Sequence, residues 1–133
     1  MRILRSCVVC MLMMRRGGIA SGSRALVLGL TFKENCPDLR NTRVVDIVGE
    51  LRDYRIACDV YDPWASPEEA KVEYGIDLIG DLVPGTYDTV IMAVAHRQFQ
   101  AMGVEYLRSL GRPGAVLYDV KHVLAGNEVD GRL

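Results

Sequence analysis

One stretch near the start of the chain constrains the fold more than any other, because an apolar run, a polar loop and an amphipathic helix follow one another there. The run covers residues 25–30, and the helix is predicted to begin near Asn41. Lys33 and Arg40 project from the loop at the carboxyl end of the predicted strand. In open α/β sheets this edge is where ligands bind. A helix N-terminus also favours anions, so the stretch predicts a nucleotide or phosphate site.

The rest of the chain repeats the alternation of apolar strands and amphipathic helices. Strands are predicted at residues 25–30, 57–61, 87–95 and 115–120, with helices between them. A short third strand or extended segment is predicted at 76–82. Such alternation predicts a parallel sheet with helices on both faces. The expected fold class is α/β, a Rossmann-like three-layer sandwich at 24–133, preceded by one N-terminal helix at 1–20.

Helix starts carry their own signals. Asn41 or Thr42 is predicted to cap the first helix of this domain. Ser66 followed by a proline and two glutamates opens the next helix, where the helix dipole favours acids. A further helical segment is predicted around 99–110.

Charge and composition argue against several classes of partner. Sixteen basic and seventeen acidic residues give the 133-residue chain a net charge of −1, so no global field attracts nucleic acid or a membrane. The apolar run at 7–14 is too short to cross a bilayer. Two arginines and two glycines close that run, instead of a small-residue cleavage site. We expect a cytoplasmic protein with no nucleic-acid or membrane partner.

The four cysteines favour a reduced protein over a metal site. Cys7 and Cys10 form a Cys-x-x-Cys pair, whereas Cys36 and Cys58 stand far apart in the sequence. A structural zinc site needs four clustered ligands. The helical spacing around the first pair favours small apolar residues on one helix face, so no metal is expected. A zinc or redox protein that uses this pair is kept as a third alternative.

Ionisable residues follow three of the predicted strands. Lys33 and Arg40 follow the first, His96 ends the central strand, and Lys121 and His122 follow the last. The carboxyl ends of parallel strands meet at one edge of a sheet, so these side chains are expected to face one crevice. The alternative interpretation is ordinary: solvated cations in loops and a structural histidine.

Motifs of a self-sufficient nucleotide enzyme are absent from the sequence. No Gly-x-Gly-x-x-Gly follows the first strand, where Gly29 stands alone, and there is no Gly-Lys-Ser/Thr phosphate loop. No Cys or Ser lies in a nucleophile motif with a partnered base. Trp64 is interpreted as a packing anchor. The chain is therefore expected to be the ligand-binding part of a larger protein.

The segment 29–42, Gly-Leu-Thr-Phe-Lys-Glu-Asn-Cys-Pro-Asp-Leu-Arg-Asn-Thr, closely resembles the opening of the C-terminal domain of UDP-glucose/GDP-mannose dehydrogenases. Further likeness lies in Val-Tyr-Asp-Pro at 60–63, Val-Ile-Met-Ala-Val-Ala-His at 90–96 with Phe99, and Tyr-Asp-Val-Lys at 118–121. The resemblance extends from about residue 24 to the C-terminus. Residues 1–20 resemble the tail of the helix that precedes this domain in the family.

The resemblance implies one part of a three-part enzyme. Members combine an NAD-binding Rossmann domain, a helical dimerisation domain and this nucleotide-sugar domain. They oxidise the sugar C6 hydroxyl to a carboxylate in two successive hydride transfers to NAD⁺. Their catalytic cysteine lies in a glycine-rich upstream segment, and no cysteine of this chain matches it. We therefore expect the chain to be inactive alone, with NAD bound mainly by a domain outside it.

Family positions give the candidate residues their expected roles. Phe32 and Lys33 resemble the residues that contact the nucleotide sugar. Arg40 resembles the arginine that reaches the NAD cofactor from this domain. Lys121 and His122 occupy the stretch where some members place a substrate-binding arginine, so both are substrate-binding candidates.

The resemblance also indicates the sugar. The Ala-Val-Ala-His ending at His96 and the run at 33–38 are more similar to UDP-N-acetylhexosamine 6-dehydrogenases than to UDP-glucose enzymes. A UDP-N-acetylhexosamine is the expected ligand, His96 is a further substrate-binding candidate, and synthesis of polysaccharide precursors is the expected use. Upstream NAD-binding and dimerisation domains, or a homo-oligomer, are the expected protein partners. The alternative is a free-standing Rossmann-like binding module without catalytic activity.

Overall fold

A parallel sheet with helices on both faces carries the fold in the computed structural model, which describes residues 22–119 and 131–132. The five strands of this part of the chain are ordered β2-β1-β3-β4-β5, and every neighbouring pair is parallel. The strands are β1 (Arg24–Leu28), β2 (Ala57–Tyr61), β3 (Tyr87–Met92), β4 (Gly111–Asp119) and β5 (Gly131–Arg132). The helices are α1 (Val44–Asp53), α2 (Pro67–Tyr74) and α3 (Arg97–Ser109).

Strand β1 is buried on both faces because it lies between two layers of helices. Ala25, Leu26, Val27 and Leu28 have no accessible surface. Successive side chains of a strand point to opposite faces. Ala25 and Val27 accordingly join the core cluster on one face, whereas Leu26 and Leu28 join the cluster on the other. This is why the strand is a continuous apolar run and does not alternate with polar residues.

The helices divide unequally between the two faces. Ile47 and Leu51 of α1, with Ala70 of α2, belong to the first core cluster. Phe99 and Leu107 of α3 belong to the second. The expected α/β class, a Rossmann-like three-layer sandwich with a parallel sheet, is confirmed.

Several predicted strand boundaries differ from those of the structure. β1 ends at Leu28, two residues early, because Gly29 has a φ of 100° and leaves the strand conformation. β3 ends at Met92, since the N–H groups of Ala93 and Val94 both donate to the carbonyl of Leu28. β4 begins at Gly111, four residues before the predicted start. Each deviation moves the end of a strand without changing its place in the sheet.

The extended segment predicted at 76–82 contributes little to the sheet. It makes a single parallel bridge, between Leu78 and Val60 of β2.

Helix α1 starts later than predicted. Asn41 has a left-handed φ of 61°, so the helix cannot begin there. The N-cap position is occupied by Arg43, which makes no side-chain cap bond, so neither predicted cap residue stands there. The Thr42 hydroxyl nevertheless accepts from the Val44 N–H at 3.2 Å and donates to the Leu30 carbonyl at 2.5 Å. The same side chain thus ties the helix start to the end of β1.

The other two helices follow their sequence signals with small shifts. Ser66 caps α2 as predicted, because its hydroxyl accepts from the Glu69 N–H at 3.3 Å. Helix α3 begins at Arg97, two residues before the predicted start, and is kinked at Gly103, whose φ is 80°.

Some predictions fall on residues outside the described ranges. These include the N-terminal helix at 1–20, the Cys7 and Cys10 pair, and the end of the last predicted strand at 120. Within the described ranges, no helix has the length and apolar character needed to span a membrane.

Candidate functional site

Three connections meet at the carboxyl edge of the sheet: the β1–α1 loop, the β2–α2 turn and the segment from β3 to α3. Each contributes a polar side chain that is fully or almost fully buried there: Thr31, Asp62 and His96. Buried polar groups must be hydrogen-bonded to be tolerated. These three residues therefore define the geometry of the edge.

The Asp62 carboxylate accepts four hydrogen bonds, which lock the start of the β1–α1 loop against the end of β2. Oδ2 accepts from the N–H groups of Leu30 at 2.6 Å and Thr31 at 3.0 Å. Oδ1 accepts from the Trp64 N–H at 2.7 Å. The His96 Nε2 lies 3.0 Å from Oδ2. Burial alone would raise the pKa of Asp62, but the His96 ring and the backbone donors outweigh burial and lower it.

The bonds around the His96 ring select one tautomer. Its Nδ1 lies 2.9 Å from the Asn35 backbone nitrogen, which can only donate, so Nδ1 must carry a lone pair. The Nε2 then carries the proton and donates to Asp62. The Thr31 hydroxyl lies 3.2 Å from the same Nε2 and donates to the Lys33 carbonyl at 3.0 Å. Both ring nitrogens are therefore engaged by the protein.

Asn35 is attached to the β3–α3 connection at two points. Its N–H donates to the His96 ring, and its Oδ1 accepts from the N–H of Arg97, the first residue of α3, at 2.8 Å. Its φ of 55° is left-handed, a conformation that asparagine tolerates better than most residues. Asn35 thus caps α3 from a different loop and fixes the turn that follows Lys33.

Phe32 and Lys33 lie above this buried network and face solvent. The Phe32 side chain is 48% exposed, although phenylalanine is ordinarily an interior residue. Lys33 is exposed as well. The loop therefore presents an aromatic face and a positive charge to solvent.

Arg40 stands on the same loop, farther along the edge. Its guanidinium forks onto the Asp38 carboxylate, with Nε–Oδ1 and Nη2–Oδ2 distances of 3.0 and 3.2 Å. The Arg40 hydrogen bond lowers the pKa of Asp38, and the same bond raises the pKa of Arg40. The Arg40 side chain remains 87% exposed, so it is oriented by its neighbour and still accessible.

A cleft of about 650 Å³ opens between the β1–α1 loop and the start of α2. Arg40 and Asp38 form one wall, and Trp64 and Glu69 contribute to the other. Trp64 packs as its interpretation as an anchor predicts, with its ring centre 6.0 Å from that of His96. Its Nε1 donates to Gln98 Oε1 at 2.8 Å.

The structure brings part of the predicted set together. Phe32, Lys33, Arg40 and His96 all lie at the carboxyl edge of the sheet, but His96 lies beneath the loop, with no accessible surface. Lys121 and His122 lie outside the described residues, so the single crevice shared with them stays a prediction. Within the described part of the chain, no three histidine, cysteine, aspartate or glutamate side chains lie close enough together to bind a metal ion.

The sequence pattern predicted no role in the site for the supporting residues Thr31, Asn35 and Asp62. Asp62 directly follows β2. A polar residue at the carboxyl end of a buried parallel strand was a usable signal for the site. Nothing in the local sequence indicated that Asn35 would bond to a histidine 61 positions away.

This geometry, a parallel sheet with a cation-bearing loop at its carboxyl edge, is that of an open α/β domain, a class of fold in which ligands bind at that edge. The sequence model for the UDP-glucose/GDP-mannose dehydrogenase family, UDP binding domain, matches residues 26–126. The chain belongs to this family.

Curated relatives agree with this assignment. A UDP-N-acetyl-D-glucosamine 6-dehydrogenase of Pseudomonas aeruginosa is 54% identical over 91% of this chain, and one of Salmonella typhi is 47% identical over 91%. Protein CapL of Staphylococcus aureus is 36% identical over 89%. The aligned regions cover 29%, 28% and 28% of those three proteins. The chain thus spans less than a third of the curated relatives it matches.

Solved structures show the same fold. A UDP-glucose dehydrogenase from Pyrobaculum islandicum superposes with a TM-score of 0.70 at 27% identity, covering 98% of this chain and 28% of that one. A UDP-N-acetyl-mannosamine dehydrogenase from Staphylococcus aureus superposes with a TM-score of 0.70 at 19% identity, covering 98% of this chain and 29% of that one. At 19% identity the second likeness concerns the fold alone.

Proposed function

We propose that this chain is the nucleotide-sugar-binding domain of an NAD-dependent nucleotide-sugar 6-dehydrogenase. The observation that carries the proposal is the exposed Phe32–Lys33 pair, held at the carboxyl edge of the sheet in a chain of this family. Ligands of open α/β sheets bind at that edge. A UDP-sugar offers a diphosphate for the cation and a flat base for the aromatic ring.

Lys33 is the proposed anchor of the diphosphate. A lysine ammonium acts as a compact point charge with three donors, which suits a phosphate oxygen approaching from solvent. The Phe32 ring supplies apolar contact next to it. Lys121 and His122 are proposed as further substrate contacts, on the family resemblance of their positions alone.

Arg40 is proposed to contact a phosphate of NAD. Its guanidinium is exposed, pre-oriented by Asp38 and able to bind a phosphate in a forked geometry. One arginine accounts for a single contact, and the chain carries no dinucleotide fingerprint. NAD, when bound, accepts the hydride; the remaining contacts to it belong to a domain outside these residues.

The proposed ligand is a UDP-N-acetylhexosamine. Two relatives, at 54% and 47% identity, are named UDP-N-acetyl-D-glucosamine 6-dehydrogenases. UDP-glucose 6-dehydrogenases match at lower identity, 29% and 25%. This difference in sequence identity favours the N-acetylated sugar but does not indicate which residue selects it.

The proposed reaction of the whole protein is oxidation of the sugar C6 hydroxyl to a carboxylate for polysaccharide precursors, in the cytoplasm. It requires NAD-binding and dimerisation domains, which we propose as the partners of this domain. The 133 residues by themselves are expected to reduce no NAD⁺.

A titration of the chain with UDP, UDP-N-acetylglucosamine, UDP-glucose, GDP-mannose and NAD⁺, followed by calorimetry or NMR, tests the proposal. We expect the uridine nucleotides to bind and the N-acetylated sugar to bind at least as well as UDP-glucose. Equal binding of GDP-mannose would contradict the uridine assignment. The proposed function would be refuted if uridine nucleotides at millimolar concentration bound neither to this chain nor to a full-length relative that contains a domain of this family.

A further inference from the structure

The β1–α1 loop is attached to the buried His96 ring by the residues that flank its exposed tip. On one side of the tip, the Thr31 hydroxyl lies 3.2 Å from Nε2 and donates to the Lys33 carbonyl. On the other side, the Asn35 N–H donates to Nδ1 at 2.9 Å. Phe32, Lys33 and Glu34, the residues between these two attachments, are exposed. The ring is therefore the common support of the segment that presents Lys33.

We infer that His96 is a positioning residue: its unprotonated Nδ1 holds the Phe32–Asn35 segment in the conformation in which Lys33 meets its ligand. His96 acts through the loop and does not touch the ligand itself. The inference concerns the loop in the free protein. Only its effect on nucleotide affinity rests on the proposed function.

The Asp62 carboxylate makes this role possible because it fixes the proton on the other ring nitrogen. Asp62 is buried and ionised, and its Oδ2 receives the Nε2 proton at 3.0 Å. With the proton held there, Nδ1 is left as an acceptor aimed at the loop. The Trp64 and Phe99 rings lie beside the imidazole, with centres 6.0 and 5.4 Å from its own, and limit its rotation.

Holding the loop in advance strengthens binding because a ligand then orders fewer residues. Without this support, the free-energy cost of ordering the loop would be largest at Asn35, because its left-handed φ of 55° is sparsely populated in a free chain. When only a fraction of the molecules has the loop in its binding conformation, the apparent affinity equals the intrinsic affinity multiplied by that fraction.

Two substitutions separate the two ring bonds. In His96→Gln the amide can reach the position of Nε2 and donate to Asp62, but nothing remains at Nδ1. In His96→Asn the amide oxygen can take the position of Nδ1 and accept from Asn35. Asp62 then still receives the Leu30 and Thr31 N–H groups. Both substitutions replace a buried ring with an amide side chain, so both lose packing contacts of the ring.

The experiment measures UDP affinity and the hydrogen exchange of the Asn35 amide in the wild-type chain and both variants. We expect His96→Gln to bind UDP about threefold to tenfold more weakly than wild type, the equivalent of one lost hydrogen bond. His96→Asn is expected to lose less affinity and to exchange the Asn35 amide more slowly than His96→Gln. Equal Asn35 exchange in His96→Gln and wild type would overturn the inference.

A measurement on the wild-type chain covers the case in which neither variant folds. The ¹⁵N chemical shifts of the ring distinguish the two neutral tautomers, and a scalar coupling between the Asn35 amide and Nδ1 reports their hydrogen bond. A proton on Nδ1 would overturn the inference. The hydrogen exchange of the Asn35 amide and the ¹⁵N shifts of the His96 ring are measured without nucleotide. Failure of the chain to bind UDP would therefore count against the proposed function, whereas these two measurements would still test the role of His96.

Discussion

Gly29 and Val94 approach each other so closely that only a glycine fits between the ends of β1 and β3. A Cβ built on Gly29 would lie 2.5 Å from the Val94 Cβ and 2.9 Å from its backbone nitrogen. The close approach lets the N–H groups of Ala93 and Val94 both reach the Leu28 carbonyl. It therefore brings the β1–α1 loop and the segment leading to His96 together at one edge.

Gly29→Ala is expected to destabilise the domain by at least about 2 kcal/mol, because the new methyl group meets backbone and the φ of 100° is strained for alanine. Urea denaturation measures the change in the free energy of unfolding. Gly49→Ala is the matched control, since Gly49 lies in α1 with nothing within 4 Å of an added Cβ. The control is expected to stabilise by up to about 1 kcal/mol. Equal effects of the two substitutions would contradict the close approach.

Asp62→Asn is expected to lower the free energy of unfolding at pH 7 by about 2–3 kcal/mol, since an amide cannot satisfy the donors that face the carboxylate. The pKa of Asp62 is lower in the folded state, so its stabilisation is present above the unfolded pKa, about 3.9. It is lost as pH falls through the folded pKa.

The gap in stability between wild type and Asp62→Asn should therefore narrow as the pH is lowered below about 4. Urea denaturation across a pH series measures it, with the exposed Asp81→Asn as control. A gap that stays constant down to acid pH would show that the carboxylate charge is not what the donors stabilise.

Lys33→Ala is expected to weaken nucleotide binding by about 1–3 kcal/mol, the range for hydrogen bonds to charged groups. The loss should shrink as salt rises, because salt screens exposed charges. Calorimetric titration with UDP at two ionic strengths measures both effects. Lys71→Ala removes the same charge from α2, where Lys71 pairs with Asp77, and should leave the affinity unchanged. Unchanged affinity in Lys33→Ala would remove the proposed anchor and leave the fold as it is.

Cys58 is expected to resist alkylation in the folded protein, because burial raises the pKa of its thiol from 9.0 to about 12. The thiolate is the reactive form, so iodoacetamide at pH 8 should modify Cys58 at least about 100-fold more slowly than in urea. Mass spectrometry of the peptide that carries Cys58 measures both rates, and the unfolded sample is the control. Similar rates in the two states would show that the thiol is accessible and ordinary.

The local sequence was enough to predict the class of fold and the edge of the sheet at which Lys33 and Arg40 lie. Continuous apolar runs and helical periodicity predicted the parallel strands and the helices between them, because both patterns follow from the period of the element. The strand ends were less accurate, since they depend on long-range bonds such as those from Ala93 and Val94 to Leu28. Lys33 and Arg40 could be placed at the edge because their positions follow directly from the end of a strand.

What the sequence by itself determined is thus the order of the elements, the buried central strand and the cations on the β1–α1 loop. Only the tertiary structure decided that Asp62 and His96, from two other connections, form a buried pair beneath that loop, and that Asn35 of the loop is bonded to it. The physical reason is that the bonds joining Asn35 to His96 and His96 to Asp62 span 61 and 34 positions, and local periodicity carries no information about such pairs. His96 looked like a ligand contact in the sequence, and its burial and the engagement of both ring nitrogens became visible only in three dimensions.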